Sequence, residues 1–307
     1  MKNGSRSVKQ FTMPRLGDNV WRFEKPWKPT GFGCTPHGFM LCVCNNDSRR
    51  HSKVLLFDGK NVRTILDDTQ GHSSNETIGN PHWRGDYVAL VGENGNLWLY
   101  HPQVGITKTF TTTFANVATD YGLHSVVLDT KDGKLSVRDA MSETGRVLLT
   151  MPGDGIAMAA CQYGTALYAA VADSETGNQG LSCSDGSLIK LPSCLCVTRF
   201  ADGLVYSTMN QVHMLNIGHV ATLDCEKIMD MKVVGNHIYI AGANPDSLWI
   251  ANARGEVSLV GRIAHGNKEV GGSCFRVRVA VNPTETKGYF ARTANGNQGE
   301  VYEIFWG

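Results

Sequence analysis

The sequence lacks the features of a membrane protein and of a nucleic-acid-binding protein. It has no run of about 18 consecutive apolar residues, which a transmembrane helix needs, and its polar N-terminus has no apolar centre like that of a signal peptide. Charged residues make up 19% of the chain and the net charge is +1. We therefore expect no nucleic-acid partner and no membrane insertion, and a protein that stays in the cytoplasm or is assembled there into a particle.

Motifs of the common enzyme classes are also missing. No phosphate-binding loop, zincin helix, nucleophile elbow or EF-hand loop occurs, and no segment of about ten residues shows a helical stripe of apolar residues. The nine cysteines lie mostly in or beside apolar strand segments, which is typical of reduced, buried thiols. Cys42 with Cys44, and Cys194 with Cys196, have a C-x-C spacing that places both thiols on one face of a strand. A metal site is the alternative interpretation. Because a C-x-C pair is a weaker signal than C-x₂-C and no Cys/His second pair has ligand spacing, we expect no metal and no cofactor.

What the sequence does contain is a repeat. Seven times a small residue, usually glycine, precedes a short apolar strand, and a polar turn and a second apolar strand follow. The period is roughly 42 residues, which is the length of a four-stranded propeller blade. The copies begin at Gly38, Gly85, Gly122, Gly164, Gly203, Gly235 and Gly288.

This repeat resembles that of the β-propeller superfamily. The resemblance covers residues 30–307 and implies an all-β, seven-bladed β-propeller. The Gly-His and Trp-Asp dipeptides of WD repeats and the double glycine of kelch repeats do not recur, and the segment 182–187 only hints at the Asp-box of sialidase-like propellers. The resemblance therefore implies a fold and carries over no functional residues.

The seventh repeat ends one strand short, at Trp306. We therefore divide the chain into an N-terminal arm, residues 1–29, and a propeller, residues 30–307. A strand from residues 7–23 that pairs with residues 299–306 closes the ring and removes an open sheet edge. The alternative is that the arm is a tail or binds a partner.

Three long polar connections are predicted on one face of the disc: Asn45–Lys53, Asp67–Asn80 and Ile263–Ser273. Long loops on a rigid scaffold often carry binding, although they are also places where insertions are tolerated. The candidate binding residues in these loops are Arg49, Arg50, His51, His72, Asn75, His265 and Lys268.

A second candidate site is the central channel. A charge buried without a partner is costly, so arginines on inner strands must reach water, find carboxylates or meet an anion. Structural pairing and an anion site both remain open. The arginines concerned are Arg84, Arg199, Arg276 and Arg278.

These features favour a non-enzymatic structural or interaction protein, a rigid disc whose partners are other protein subunits of an assembly. A virion component, such as part of a phage tail, is the specific hypothesis. Two alternatives stay open. One is a glycan-active hydrolase or lyase with a site at the channel mouth, and the other is a cytosolic peptide-binding adaptor.

Overall fold

The computed structural model describes residues 12–306 with the exception of 24–25, 46–50, 58–60, 68–76, 85, 93–95, 112–114, 122–123, 130–133, 140–144, 151–155, 173–178, 193, 264–276 and 295–297. Strand positions 19–20, 84, 96, 172, 179 and those within 108–158 are described by their backbone only. Within these residues the chain forms 28 β-strands and no helix.

The strands form seven antiparallel four-stranded sheets, which we call blades and number along the chain. Blade 1 comprises β2 (Lys28–Thr35), β3 (Gly38–Cys44), β4 (Ser52–Phe57) and β5 (Val62–Asp67), and blade 2 comprises β6 (His82–Arg84), β7 (Tyr87–Val91), β8 (Asn96–His101) and β9 (Gly105–Thr111). Blade 3 comprises β10 (Ala115–Tyr121), β11 (His124–Asp129), β12 (Lys134–Asp139) and β13 (Gly145–Thr150), and blade 4 comprises β14 (Ile156–Tyr163), β15 (Ala166–Ala172), β16 (Gln179–Cys183) and β17 (Leu188–Lys190). Blade 5 comprises β18 (Val197–Phe200), β19 (Gly203–Thr208), β20 (Gln211–Met214) and β21 (Gly218–Thr222), and blade 6 comprises β22 (Lys227–Val234), β23 (His237–Ala243), β24 (Asp246–Asn252) and β25 (Val257–Ile263). Blade 7 comprises β26 (Val277–Val281), β27 (Gly288–Ala294), β28 (Gln298–Trp306) and β1 (Pro14–Arg22).

The blades form a closed ring. The inner strands β10, β14, β18, β22 and β26 contact one another in order, and β26 contacts β2 of blade 1. Strand β2 contacts β6, and blade 2 in turn contacts β10 and β11 of blade 3. This is the arrangement of a β-propeller, and it confirms the all-β propeller fold predicted from the repeat.

The N-terminal strand completes the last blade. Strand β1 pairs antiparallel with β28, from Pro14 opposite Trp306 to Arg22 opposite Glu300. The pairing lies in the segment for which a closing strand was predicted, and it places a strand on the edge that β28 otherwise exposes. Residues 1–11 lie outside the described residues, and the division of the chain at residue 29 stays a prediction.

Glycine leads the repeat because of the turn between the first two strands of a blade. Gly38 has a φ of 126° and Gly235 has a φ of 55°, both in the region that L side chains rarely adopt. A side chain at Gly38 would also collide with the carbonyl oxygen of Phe57 on the third strand of its blade. At Gly38 the small residue is therefore required by backbone conformation and by close strand packing, and at Gly235 by backbone conformation.

The apolar core lies between blades, not within them. Met40 and Val54 of blade 1 belong to the same buried cluster as Leu90 and Trp98 of blade 2. Blades 6 and 7 share another cluster, to which Tyr239 contributes a fully buried ring. Because each sheet is covered on both faces, its strands are almost continuously apolar rather than alternating.

The inner strand of blade 2 is short. It comprises His82–Arg84, and Ile78 forms only an isolated bridge with Gly92. Pro81 has no N–H to donate and so interrupts the ladder. The preceding side chain, Asn80, accepts a hydrogen bond from the Phe32 N–H at 2.9 Å and ties this segment to blade 1 instead.

The alternating strand directions define two faces of the disc. The first and third connections of each blade lie at one end of its strands, which we call the turn face. The second connection and the crossing to the next blade lie at the other end, which we call the loop face. The strand ends that flank the three long polar connections lie at the loop face, while residues 46–50, 68–76 and 264–276 lie outside the described residues.

Candidate functional site

On the loop face, only His51 of the predicted binding residues lies within the described part of the chain. Its N–H donates to Asn45 Oδ1 at 2.8 Å, and the Asn45 N–H donates to the His51 carbonyl at 3.0 Å. These reciprocal bonds close the connection between β3 and β4, while the buried His51 Nδ1 has no hydrogen-bond partner. The other six residues lie outside the described residues: Arg49, Arg50, His72, Asn75, His265 and Lys268.

The channel arginines do not share one environment. Arg278 is buried, and its guanidinium donates to the carbonyl oxygens of Thr30 at 2.9 Å, Val277 at 2.8 Å and Met229 at 3.3 Å. These three carbonyls come from the inner strands of blades 1, 7 and 6. Arg278 therefore links the inner strands of these three blades where the ring closes. Arg199 is exposed on β18. The side chains of Arg84 and Arg276 lie outside the described part of the structure, and the channel anion site stays a prediction.

Asp230 is a channel residue that was not predicted from the sequence. One carboxylate oxygen accepts the backbone N–H of Val279 at 3.1 Å, and the other lies 3.3 Å from Lys232 Nζ. Asp230 and Lys232 stand two residues apart on β22 and so share a face of the strand. The sequence contained a signal for this pair, because an acidic and a basic residue two positions apart interrupt an otherwise apolar strand. The carboxylate joins blade 6 to blade 7 across the channel wall.

A pair of buried carboxylates lies at the seam between blades 6 and 7. Arg292 donates to Glu300 at 2.8 Å, and its other terminal nitrogen lies 3.5 Å from Asp246, which has no exposed surface. Tyr302 also donates to Glu300, at 2.8 Å. A glycosidase needs its two carboxyl groups on either side of a substrate bond, but an arginine fills the space between these two. The geometry is that of a structural ion-pair network.

Within the described residues, no group of three or more His, Cys, Asp or Glu side chains is placed to hold a metal ion. The eight cysteines described are free thiols, and burial raises the pKa of Cys34 to about 11 and that of Cys196 to about 12. Such thiols are neutral and unreactive near neutral pH. The described part of the chain also contains no helix long and apolar enough to cross a membrane.

Most of the large exposed apolar side chains among the described residues lie on the turn face. In a propeller whose blades cover one another, large apolar groups left in water are the informative exceptions. Of the described residues, those at strand ends or turns of this face are Met13, Val62, Trp83, Tyr87, Val104, Ile217 and Phe305.

Trp83 and Tyr87 are the two exposed aromatic residues on blade 2. Trp83 is 43% exposed and lies one residue before the end of β6, and Tyr87 is 39% exposed and is the first residue of β7. The centre of the Tyr87 ring lies 4.9 Å from that of His101, which lies on the adjacent strand β8. Val104, which is 68% exposed, follows in the turn between β8 and β9. Trp83 is paired with Val88 and Tyr87 with Arg84, so the two side chains leave opposite faces of the sheet and flank the turn-face end of blade 2. We call the four residues at this end, Trp83, Tyr87, His101 and Val104, the aromatic patch.

Hydrogen bonds to blade 1 and within blade 2 hold the surroundings of the patch in place. His37 Nε2 donates to the Asp86 carbonyl at 2.6 Å, in the turn that joins Trp83 to Tyr87. Arg63 of blade 1 donates to the Tyr100 hydroxyl at 2.6 Å. The Gln103 N–H donates to His101 Nδ1 at 3.2 Å, which leaves the proton of the neutral imidazole on the outward Nε2. These hydrogen bonds therefore hold the end of blade 2 that carries the patch in a fixed position, and polar groups surround it.

The patch was not predicted from the sequence. Connections were ranked there by length and polarity, and the turns at Gly85–Asp86 and at residues 102–104 are short. The available signal was a pair of aromatic residues, Trp83 and Tyr87, within two positions of a short turn, where blade packing is incomplete.

No protein-family model matches the sequence, and no curated protein matches it either. Solved β-propellers do match its structure. The chain is similar to the propeller domain of Myceliophteria thermophila Cps50 (Swd1), at 13% identity and a TM-score of 0.59, over 93% of this chain and 99% of that one. It is similar to a chain of the mitotic checkpoint complex at 11% identity and a TM-score of 0.59, over 99% and 96% of the two chains.

A third similar structure is the computationally designed protein Ika8, at 12% identity and a TM-score of 0.56, over 94% of this chain and 100% of that one. At these identities the likeness concerns the fold alone. The chain has the β-propeller fold along nearly its whole length.

Proposed function

We propose that this protein is a non-enzymatic interaction scaffold that docks protein partners on the turn face of its propeller. The observation that carries the proposal is the aromatic patch. Tryptophan and tyrosine dominate the energetic centres of protein interfaces, and a rigid edge lowers the entropy cost of binding. The exposed Arg63, Asp86 and Gln103 side chains around the patch supply the polar rim that such interfaces have.

Two further points support a binding role. Arg278 in the channel and the buried carboxylates Asp246 and Glu300 bind neighbouring blades to one another. The Cps50 propeller domain and the mitotic checkpoint chain share this fold, and the second of them is part of a protein complex. The predicted binding residues of the loop face remain a separate prediction.

The proposal is tested by photo-crosslinking from the patch. A photoreactive phenylalanine analogue at position 83 or 87 should capture a defined partner in cells of the source organism, and the same probe at Ile217 should not. Ile217 is the matched control because it is 71% exposed on the same face but lies on blade 5.

Substitution then measures the energetic contribution of the patch. With the captured partner purified, Trp83→Ser should raise the Kd about 30-fold or more, as expected for an interface centre worth at least about 2 kcal/mol. Ile217→Ser should leave the Kd within about twofold. If both variants bind like the wild type, or if the probe captures nothing at 83 and 87, the turn face is not the docking surface.

A narrower version of the proposal makes the protein a virion component, such as part of a phage tail. This hypothesis rests on the sequence alone, as does the expected location in the cytoplasm or in a particle assembled there. Mass spectrometry of purified particles tests it, because a structural component is present in a fixed number of copies per particle.

A further inference from the structure

We propose that His213 and His219 form a two-histidine binding site for a divalent transition-metal ion of the Ni²⁺, Cu²⁺ or Zn²⁺ class. The two residues lie on the outer half of blade 5, away from the aromatic patch. The proposal is therefore independent of the proposed function.

Strand pairing brings the two imidazoles together. His213 on β20 stands directly opposite His219 on β21. Side chains at opposite positions of an antiparallel pair leave the same face of the sheet, with Cβ atoms about 5 Å apart. The ring centres are 5.6 Å apart and the ring planes meet at 80°. Two imidazoles that share one ion through bonds of about 2.1 Å have ring centres about 5 Å apart, close to the separation of this pair.

The Nε2 atoms of both rings point toward the same row of residues across the sheet. His213 Nε2 lies 2.9 Å from Thr208 Oγ1 and 3.2 Å from Gln211 Oε1. His219 Nε2 lies 2.9 Å from Thr222 Oγ1. Thr208 is paired with Gln211, and Gln211 is paired with Thr222. Both nitrogens therefore lie along one row of residues on the same face of the sheet, His213 Nε2 on the β19 side and His219 Nε2 on β21, and this row also presents three oxygen atoms.

The surroundings keep the site oriented and accessible. Tyr206 stacks on His213 with ring centres 5.4 Å apart and planes at 11°, which limits rotation of that imidazole. His219 and Thr222 are exposed, so an ion reaches the site from solvent.

The chemistry of the donor set defines the class of ion. Imidazole nitrogen suits Ni²⁺, Cu²⁺ and Zn²⁺, whereas Mg²⁺ and Ca²⁺ prefer carboxylate and carbonyl oxygen. Since no third His, Cys, Asp or Glu among the described residues joins the pair, water fills the remaining coordination positions. Such an open site holds an exchangeable ion that accepts a further ligand, such as a histidine from another protein.

The test uses the full chain without a histidine tag and Ni²⁺ as the probe. Isothermal titration near neutral pH should find one ion per chain. His213→Gln and His219→Gln should each raise the Kd at least about tenfold, since even indirect metal contacts are worth that much. His101→Gln is the matched control, because its ring also packs against a tyrosine but has no histidine partner, and it should leave the Kd within about twofold.

A second readout separates a ligand from a structural residue. Electron paramagnetic resonance of the Cu²⁺ complex should show coupling to two imidazole nitrogens in the wild type and to one in His219→Gln. The exposed His219 makes this variant safe for folding even if His213→Gln proves unstable. The proposal is overturned if no ion binds, if both substitutions leave the affinity unchanged, or if His101→Gln weakens binding equally.

Discussion

Replacing Phe23 with alanine should destabilise the closure of the ring without removing the strand that makes it. Phe23 follows β1 and is 4% exposed in the core cluster that joins blades 1 and 7. Its ring centre lies 4.1 Å from that of Trp21. Its backbone N–H donates to the Gly299 carbonyl at 2.9 Å, and its carbonyl accepts from Gln298 at 3.0 Å. The substitution leaves these backbone bonds in place, so the measured change reports the buried ring.

The magnitude follows from the burial of this ring. Truncation of a fully buried phenylalanine to alanine costs about 3–5 kcal/mol, because transfer free energy is lost and a cavity is left. A chain of 307 residues has an unfolding entropy of about 0.6 kcal/mol per kelvin near its midpoint. The expected fall in Tm is therefore about 5–8 °C.

Thermal unfolding followed by circular dichroism and by calorimetry measures this fall. The matched control is Phe305→Ala, which changes the same residue type near the far end of the same pairing, where the ring is 43% exposed. That variant should lose less than about 2 °C. Deletion of residues 1–24 should lower the Tm at least as far as Phe23→Ala does. If Phe23→Ala and the deletion both melt like the wild type, β1 does not stabilise the ring and the closure argument is wrong.

Three other predictions concern charge, pH and thiols. Arg292→Met leaves two buried carboxylates without their arginine and should cost about 3–5 kcal/mol at neutral pH, whereas Arg22→Met, at the exposed end of the same network, should cost less than about 1 kcal/mol. Because burial and a neighbouring histidine lower the pKa of His213, the folded state binds its proton less readily than the unfolded state. Stability should therefore fall as the pH drops through about 6.5, and His213→Gln should reduce this fall in thermal melts. Titration of the denatured, unreduced protein should find nine thiols, and alkylation of Cys34 in the native protein should be slow near neutral pH and faster as the pH rises toward its pKa of about 11.

The repeat predicted the fold because it reports local physics. A glycine at a turn with positive φ and two apolar strands around a short polar turn specify a hairpin without reference to the rest of the chain. The same reasoning identified the segment that pairs with β28, since a blade one strand short needs a partner for its open edge. It did not indicate how short the inner strand of blade 2 is, because Pro81 interrupts the ladder there and Asn80 binds the neighbouring blade.

The candidate sites were harder to predict, because their properties depend on neighbours from other blades. The channel arginines were identified by type, but only the ring shows that Arg278 donates hydrogen bonds to carbonyl oxygens of three strands. Asp230 was not singled out, although its carboxylate bridges two blades. Length and polarity drew attention to the loop face, while the exposed aromatic side chains stand at two short turns on the opposite face.

The sequence by itself determined the strands, their grouping into repeats and the need for an N-terminal strand, because strand formation and turn conformation depend on residues close together in the chain. Only the tertiary structure decided which side chains are buried and which are exposed. Exposure depends on how far each blade covers the next, and contacts such as those of Arg278 with Thr30 join residues far apart in sequence. The exposure of the aromatic patch is therefore a property of the assembled ring, whereas the histidine pair follows from strand pairing within blade 5.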